Sequence, residues 1–257
     1  MTVRRIDDLS ANGNDLDEAA LRVLYAYPEP LTTPWIRVNF VSSVDGAMTD
    51  GSTVGALATP SDKTVFTVLR HLADAILVGA GTVRAENYGG AGGDARVRSW
   101  RTARGLAAVP PVVIVSATAR IEPTARVVAE ASRKPIVITS SVAESDRIAG
   151  LRDAGVEVVR CAGDSIGGTD IRAVLAERGM MRVLCEGGPA LLGQLLDDDV
   201  VDELCLTTAP VAVSGPAGRI ARGPDAVRRP MRPAHILYDS EDATVLTRWV
   251  RDRASDR

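Results

Sequence analysis

Apolar residues in this chain gather into short runs separated by amphipathic stretches. "WIRVNFVSS" (35–43) predicts a strand, "PSDKTVFTVLRHLA" (60–73) a helix opened by Pro60 and Ser61, and "DAILVG" (74–79) a buried strand. "PPVVIVS" (110–116) and "KPIVITS" (134–140) read as further strands. "VAESDRIAGLRDAG" (142–155) reads as a helix closed by Gly155, and "VEVVR" (156–160) as a strand. "TDIRAVLAERG" (169–179) is a helix capped by Thr169 or Asp170 and stopped at Gly179, followed by the strand in "MRVLCEGG" (181–188) and the helix in "PALLGQLL" (189–196). Strands alternating with helices predict right-handed crossovers and a parallel sheet covered on both faces. The rhythm then breaks: "VDELCLTTAPVAV" (201–213) and "AHILYDSEDATVLTRWV" (234–250) carry strand patterns with the turn "DSED" between the halves of the second. An antiparallel hairpin is expected to finish the sheet.

Two stretches resist the pattern, "ENYGGAGGDARVRSWRTARGLAAVP" (86–110) and "AVSGPAGRIARGPDAVRRPMRP" (212–233), and loops of that length in a compact unit are usually functional. Residues 1–34, with Asn12, Gly13 and Asn14, a short helix over 16–25 and then Pro28, Pro30 and Pro34, read as an arm leading into a single domain over 35–257.

The chain has 257 residues, 46% hydrophobic and 25% charged, with a net charge of -3, so it has core enough to fold and no uniformly basic surface for nucleic acid. Cysteines 161, 185 and 205 form no C-x-x-C pair, and with only two histidines the chain lacks material for a zinc site or a Ser-His-Asp triad. No metal is expected. The N-terminus has no signal-peptide core, and no apolar run is long enough to span a bilayer, so a cytoplasmic protein acting on a small molecule is expected.

In an open parallel sheet, ligands bind beyond the carboxyl ends of the strands. Gly79, Ala80, Gly81, Thr82 and Val83 follow one strand, and Glu186, Gly187, Gly188 and Pro189 follow another. Both corners are bare where a helix begins, and free N–H groups at the positive end of a helix dipole suit a phosphate. Either corner alone also reads as a tight turn; together they suit a dinucleotide. Ser116 and Arg120 follow a third strand and could receive a terminal phosphate, which favours NADP over NAD, although an exposed polar loop would read the same. Asp62, in the first turn of its helix, either complements the dipole or faces a heterocycle as a proton donor. Asp45 in "SVDG" reads as a turn former.

The stretches "VNFVSSVDG" (38–46), "TPSDKTVFTVLRHLADAILVGAGTVRAENY" (59–88), "VLCEGGPALLGQLL" (183–196) and "VDELCLTTAP" (201–210), in this order, resemble the riboflavin-biosynthesis pyrimidine reductases, above all the stand-alone actinobacterial form of that domain. The resemblance implies a dihydrofolate reductase-like α/β fold and a homodimer. It implies an NADPH-dependent reduction of a ribosylaminopyrimidine 5′-phosphate to its ribitylamino product. Its cofactor contacts fall on Thr82, Glu86, Ser116 and the run Gly187, Gly188, Pro189, Ala190, Leu191, Leu192; the strand-end reading adds Gly79, Gly81 and Arg120. Arg70 matches a basic substrate-side position and Glu186 looks like a substrate- or nicotinamide-side residue; Asn39 and Ser43 are further substrate-side candidates, and Asp62 and Glu186 the candidate catalytic residues. The zinc deaminase signature of the bifunctional members is absent, so the reductase step alone is expected.

The chain departs from the family in three places. Ala47 stands where a basic residue follows S-L-D-G, the phosphate-binding serine falls near Gly55 in "STVGALATP", and an arginine expected past "ENY" meets "GGAGGD". A dihydrofolate reductase-type enzyme acting on a pterin therefore stays open, as does a non-catalytic NADPH sensor or scaffold.

Overall fold

A computed structural model of the chain describes residues 3–6, 15–51 and 54–256. Its centre is a ten-stranded sheet in the order β1-β9-β10-β8-β2-β7-β3-β4-β5-β6. These strands are β1 (Val3–Arg5), β2 (Trp35–Ser43), β3 (Ala75–Gly79), β4 (Val112–Val115), β5 (Ile136–Thr139), β6 (Glu157–Arg160), β7 (Arg182–Cys185), β8 (Glu203–Ala209), β9 (Met231–Asp239) and β10 (Thr244–Arg251). From β8 through β6 every neighbouring pair is parallel, and β8-β10-β9-β1 is antiparallel. This is the expected class: a mostly parallel dihydrofolate reductase-like sheet ending in an antiparallel hairpin.

Alternation along each central strand divides the core. In β3, Ile76 and Val78 face α2 (Pro60–Leu72) and α6 (Ser145–Asp153), while Ala75 and Leu77 face α7 (Gly168–Glu177) and α8 (Pro189–Asp197). Both faces are filled by fully buried aliphatic side chains, each stabilising the fold by roughly 1.5–3 kcal/mol. On the antiparallel side a buried ion cluster ties three strands together: Arg37 Nε donates to Glu203 Oε1 at 2.5 Å and Arg248 Nε to the same oxygen at 2.8 Å.

Two regions differ from the sequence reading. Described parts of the N-terminal stretch share the main core: β1 pairs with β9, and Val3, Leu21 and Tyr25 are buried among residues of α2 and the sheet, with α1 (Glu18–Leu24) close to the expected helix. Asn12, Gly13 and Asn14 lie outside the described residues. The irregular 86–110 stretch contains α4 (Ala95–Thr102), opened by Asp94. Its Arg101 turns inward, and Nη1 donates to the carbonyls of Arg70 (3.0 Å) and His71 (2.8 Å), closing the C-terminal end of α2. Burial draws the Arg101 guanidinium down to about 10.

Because β7 inserts between β2 and β3, the carboxyl ends of these three strands open a crevice where the order of the chain reverses. No helix among the described residues is long and apolar enough to cross a membrane.

Candidate active site

A trench runs across the crevice in two compartments. The first, about 680 Å³, is lined by Asn39, Phe40, Asp62, Lys63, Phe66, Thr82, Glu86, Tyr88 and Glu186. The second, about 1120 Å³, is lined by Arg84, Ser116, Thr118, Arg120 and Asp164. Gly79, Gly81, Ala190, Leu191 and Arg222 border both and form the neck between them.

The neck is narrow because glycine allows it. Gly79 N–H donates to the Gly187 carbonyl at 2.8 Å and locks the end of β3 to the corner after β7. Gly187 has φ +99, open to glycine, and an added Cβ would lie 3.1 Å from the Phe40 ring. A Cβ on Gly188 would lie 2.5 Å from Thr82 Oγ1. Pro189 begins α8, and the N–H groups of Ala190 and Leu191 precede its first intrahelical bond, from Leu192 N–H to the Gly188 carbonyl at 2.9 Å.

In the first compartment the two candidate carboxylates differ. Glu186 is nearly buried and held in a fork: Arg70 Nε donates to Oε1 at 2.7 Å and Arg70 Nη2 to Oε2 at 2.6 Å. Tyr88 accepts from Arg70 Nη2 at 2.8 Å and donates its hydroxyl to Glu186 Oε2. Burial, added to the charge of Glu186, pushes the Tyr88 hydroxyl well above its usual range, so it remains a donor. Phe66 supports the fork, its ring centroid 4.4 Å from the Arg70 guanidinium carbon.

Asp62 has no such partner. It sits in the first turn of α2, whose N-cap Thr59 accepts from the Asp62 N–H at 3.2 Å. Burial raises the Asp62 carboxyl above the ordinary carboxylate range; a hydrogen bond with Thr207 and the charge of Lys63 oppose the rise, and Asp242 adds to it. A clamped anion and a carboxyl held towards its neutral form thus share one pocket, the pattern that separates an acceptor from a proton donor.

Of the residues expected on the substrate side, Asn39, Asp62 and Glu186 meet in the first compartment, and the Asn39 amide makes no hydrogen bond within the described residues. Arg70 is placed differently: its guanidinium is occupied by Glu186, so it positions that carboxylate. Ser43 is not in the trench. Its hydroxyl donates to Asp45 and accepts from Ala47 N–H at 2.9 Å, while Asp45 also accepts from the N–H groups of Val213 and Ser214. These bonds, that of Ser43 first, hold the Asp45 carboxyl down to about 2, and the turn role read for Asp45 matches this geometry. Gly55 lines the first compartment; Ser52 and Thr53 beside it lie outside the described residues.

Of the cofactor-side residues, Gly79, Gly81, Thr82, Glu86, Gly188, Pro189, Ala190 and Leu191 border the first compartment, and Ser116 and Arg120 the second. Gly187 shapes the neck through its carbonyl, and Leu192 is buried in the core beneath α8. Ser116 Oγ accepts from Arg120 N–H at 3.2 Å and Arg84 Nη1 holds the Arg120 carbonyl at 2.9 Å, so the turn after β4 is braced while the Arg120 guanidinium makes no bond with the described residues. Sequence reasoning missed Tyr88, Lys63, Thr207 and Arg222. Tyr88, Lys63 and Thr207 lie inside quoted motifs; Arg222 comes from the irregular 212–233 stretch, and nothing local marked it.

A trench at the switch point of a mostly parallel sheet, with buried carboxylates at one end and arginines at the other, defines an α/β protein of the dihydrofolate reductase-like class. The chain belongs to the RibD C-terminal domain family, whose sequence profile matches residues 34–245. It is 27% identical over 183 residues to the 2,5-diamino-6-ribosylamino-4(3H)-pyrimidinone 5′-phosphate reductase of Archaeoglobus fulgidus, covering 71% of this chain and 83% of that one. The enzyme of the same name from Methanothermobacter thermautotrophicus is 28% identical over 217 residues, covering 79% of this chain and 94% of that one. A pyrimidine reductase-like protein of Corynebacterium diphtheriae superposes with a TM-score of 0.78 at 26% identity, over 91% of this chain and 98% of the other.

Proposed function

We propose that the chain is an NADPH-dependent reductase of a ribosylaminopyrimidine 5′-phosphate, acting in riboflavin biosynthesis in the cytoplasm. The observation that carries this reading is the two-compartment trench with Asn39, Asp62 and Glu186 gathered at one end of a glycine neck. Family membership and the names borne by its relatives support the same activity. The dinucleotide suits the cradle: an added Cβ on Gly81, which borders both compartments, would meet no atom within 4 Å, and the second compartment offers Ser116 and Arg120 for a 2′-phosphate.

When bound, the cofactor supplies the hydride. The chain's residues do the rest. The glycine neck and α8 would hold the dinucleotide across the two compartments, and orienting it beside the substrate would convert an encounter of two molecules into an intramolecular step. Glu186, held in place by the Arg70 fork, accepts N–H groups of the pyrimidine and fixes its plane. Asn39 offers both a donor and an acceptor to the ring. Reduction of the C=N form of the ribosylamine consumes one hydride and one proton, and Asp62 donates that proton to the nitrogen left as an amine. Lys63 lines the same compartment, and its ammonium makes no hydrogen bond or ion pair with the described residues; it is our assignment for the substrate phosphate in place of the basic residue replaced by Ala47.

The homodimer belongs to the same proposal. Leu204, Leu206, Ile236, Val245 and Trp249 lie on one face of β8, β10 and β9 and are half-exposed, a surface suited to a second copy. Light scattering of the purified chain should give twice the monomer mass.

The test is nicotinamide absorbance in the presence of the ribosylaminopyrimidine phosphate and, separately, dihydrofolate, with NADPH or NADH. Oxidation of NADPH with the pyrimidine is expected. Oxidation with dihydrofolate alone would reassign the acceptor, and NADPH binding without turnover on either would make the chain a sensor.

A further inference from the structure

Arg222 comes from the 212–233 stretch, which the sequence left as an irregular loop, yet its backbone is tightly placed. Its N–H donates to the Pro189 carbonyl at 2.9 Å, at the first residue of α8. A Cβ on Gly193, one turn further along that helix, would lie 2.0 Å from the Arg222 carbonyl oxygen and 3.1 Å from Gly223 N. The segment therefore lies flat on α8, and only glycine at 193 allows the approach. The side chain runs past Gly218 and into the trench.

Among the residues that border both compartments, Gly79, Gly81, Ala190 and Leu191 carry no charge; Arg222 is the exception. Its guanidinium makes no hydrogen bond or ion pair with the described residues, in contrast to Arg70, which grips Glu186, and Arg101, which donates to backbone carbonyls. An extended ligand that reaches from Asp62 and Glu186 to Ser116 and Arg120 must cross the neck. In a dinucleotide, the part midway between the two ring systems is the diphosphate. A cation with an unoccupied planar fork, beside the free N–H groups of Ala190 and Leu191, matches that part and neither end.

We propose that Arg222 binds the diphosphate of the dinucleotide, and that Gly193 is small so that the loop can deliver it there. This rests on the reading of the trench as a dinucleotide site. Arg222 is then a binding residue common to phosphorylated and unphosphorylated nicotinamide cofactors, whereas Arg120 distinguishes them.

The experiment is fluorescence titration of NADPH and NADH against wild type, Arg222→Gln, Arg222→Lys and Arg120→Gln, with the pyrimidine phosphate KM measured at saturating NADPH. Arg222→Gln should raise both dissociation constants by the same factor, roughly tenfold to a hundredfold, the size expected for losing a charge-assisted bond. Arg222→Lys should fall between wild type and Arg222→Gln. Arg120→Gln should weaken NADPH alone. The gap between wild type and Arg222→Gln should narrow as salt rises. Unchanged affinity for both dinucleotides in Arg222→Gln overturns the proposal, as does a loss confined to NADPH or a change confined to the substrate KM. Wild type that binds neither dinucleotide overturns the cofactor reading itself, a result separable from any of these.

Discussion

In the first compartment the two carboxylates are already paired: Glu186 is forked by Arg70 and Tyr88, and Asp62 bonds Thr207. In the second compartment and at the neck, Arg120 and Arg222 end without partners among the described residues. The end that would do chemistry is fixed during folding, and the end that would grip a cofactor keeps its charges free for the ligand. Preorganised groups lower a barrier because they need no rearrangement as charge moves, whereas binding groups gain by exchanging water for a ligand only when it arrives. Substitutions on the two sides should therefore separate turnover from affinity.

The largest separation is expected at Asp62. Asp62→Asn should cut turnover by about 10²- to 10⁴-fold, the range of a lost general acid, while the NADPH dissociation constant changes by less than about twofold. Gly188→Val acts at the neck and should do the reverse in kind: overpacking against Thr82 should weaken NADPH by roughly tenfold to a hundredfold in a chain whose circular dichroism is unchanged. Tyr88→Phe removes one donor from Glu186 and should lower kcat about tenfold with cofactor affinity intact, as stopped-flow rates beside equilibrium titration would report.

The smallest effect concerns stability. Burial raises the Asp62 carboxyl, so the folded chain holds that proton more tightly than the unfolded chain does. This contribution to stability is complete below the unfolded value and is lost as pH rises through the folded one. Above that range Asp62→Asn should melt at a higher temperature than wild type, and the difference should shrink as the pH is lowered. Equal melting temperatures across the pH range would remove desolvation as the source of the raised proton affinity.

The parallel half of the sheet was legible because each strand is a short apolar run bounded by caps and glycines, as in "DAILVG" before Ala80 and "MRVLCEGG" before Pro189. The two bare corners were legible because glycines crowd the ends of two strands, each just before a helix. What escaped were facts of distance. Arg70 and Glu186 are 116 residues apart, and a basic residue one turn from a helix end gives no sign that it will fold back on a carboxylate. The helix α4 escaped because "ARVRSWRT" has no apolar stripe; its order comes from the Asp94 cap and from Arg101 closing α2. Ser43 lay in a family motif, but the neighbouring Asp45 and Ala47 claim its hydroxyl for a turn. Arg222 could be read only once Gly193 had brought its loop onto α8.

The most direct test of the account is the pH dependence of a single turnover, with NADPH bound in advance and the pyrimidine phosphate mixed in, for wild type and Asp62→Asn. If Asp62 delivers the proton, the wild-type rate falls as pH rises through the value of its carboxyl, and that fall is absent from the slow Asp62→Asn reaction. The same break at the same pH in both proteins would contradict the assignment and place the proton elsewhere.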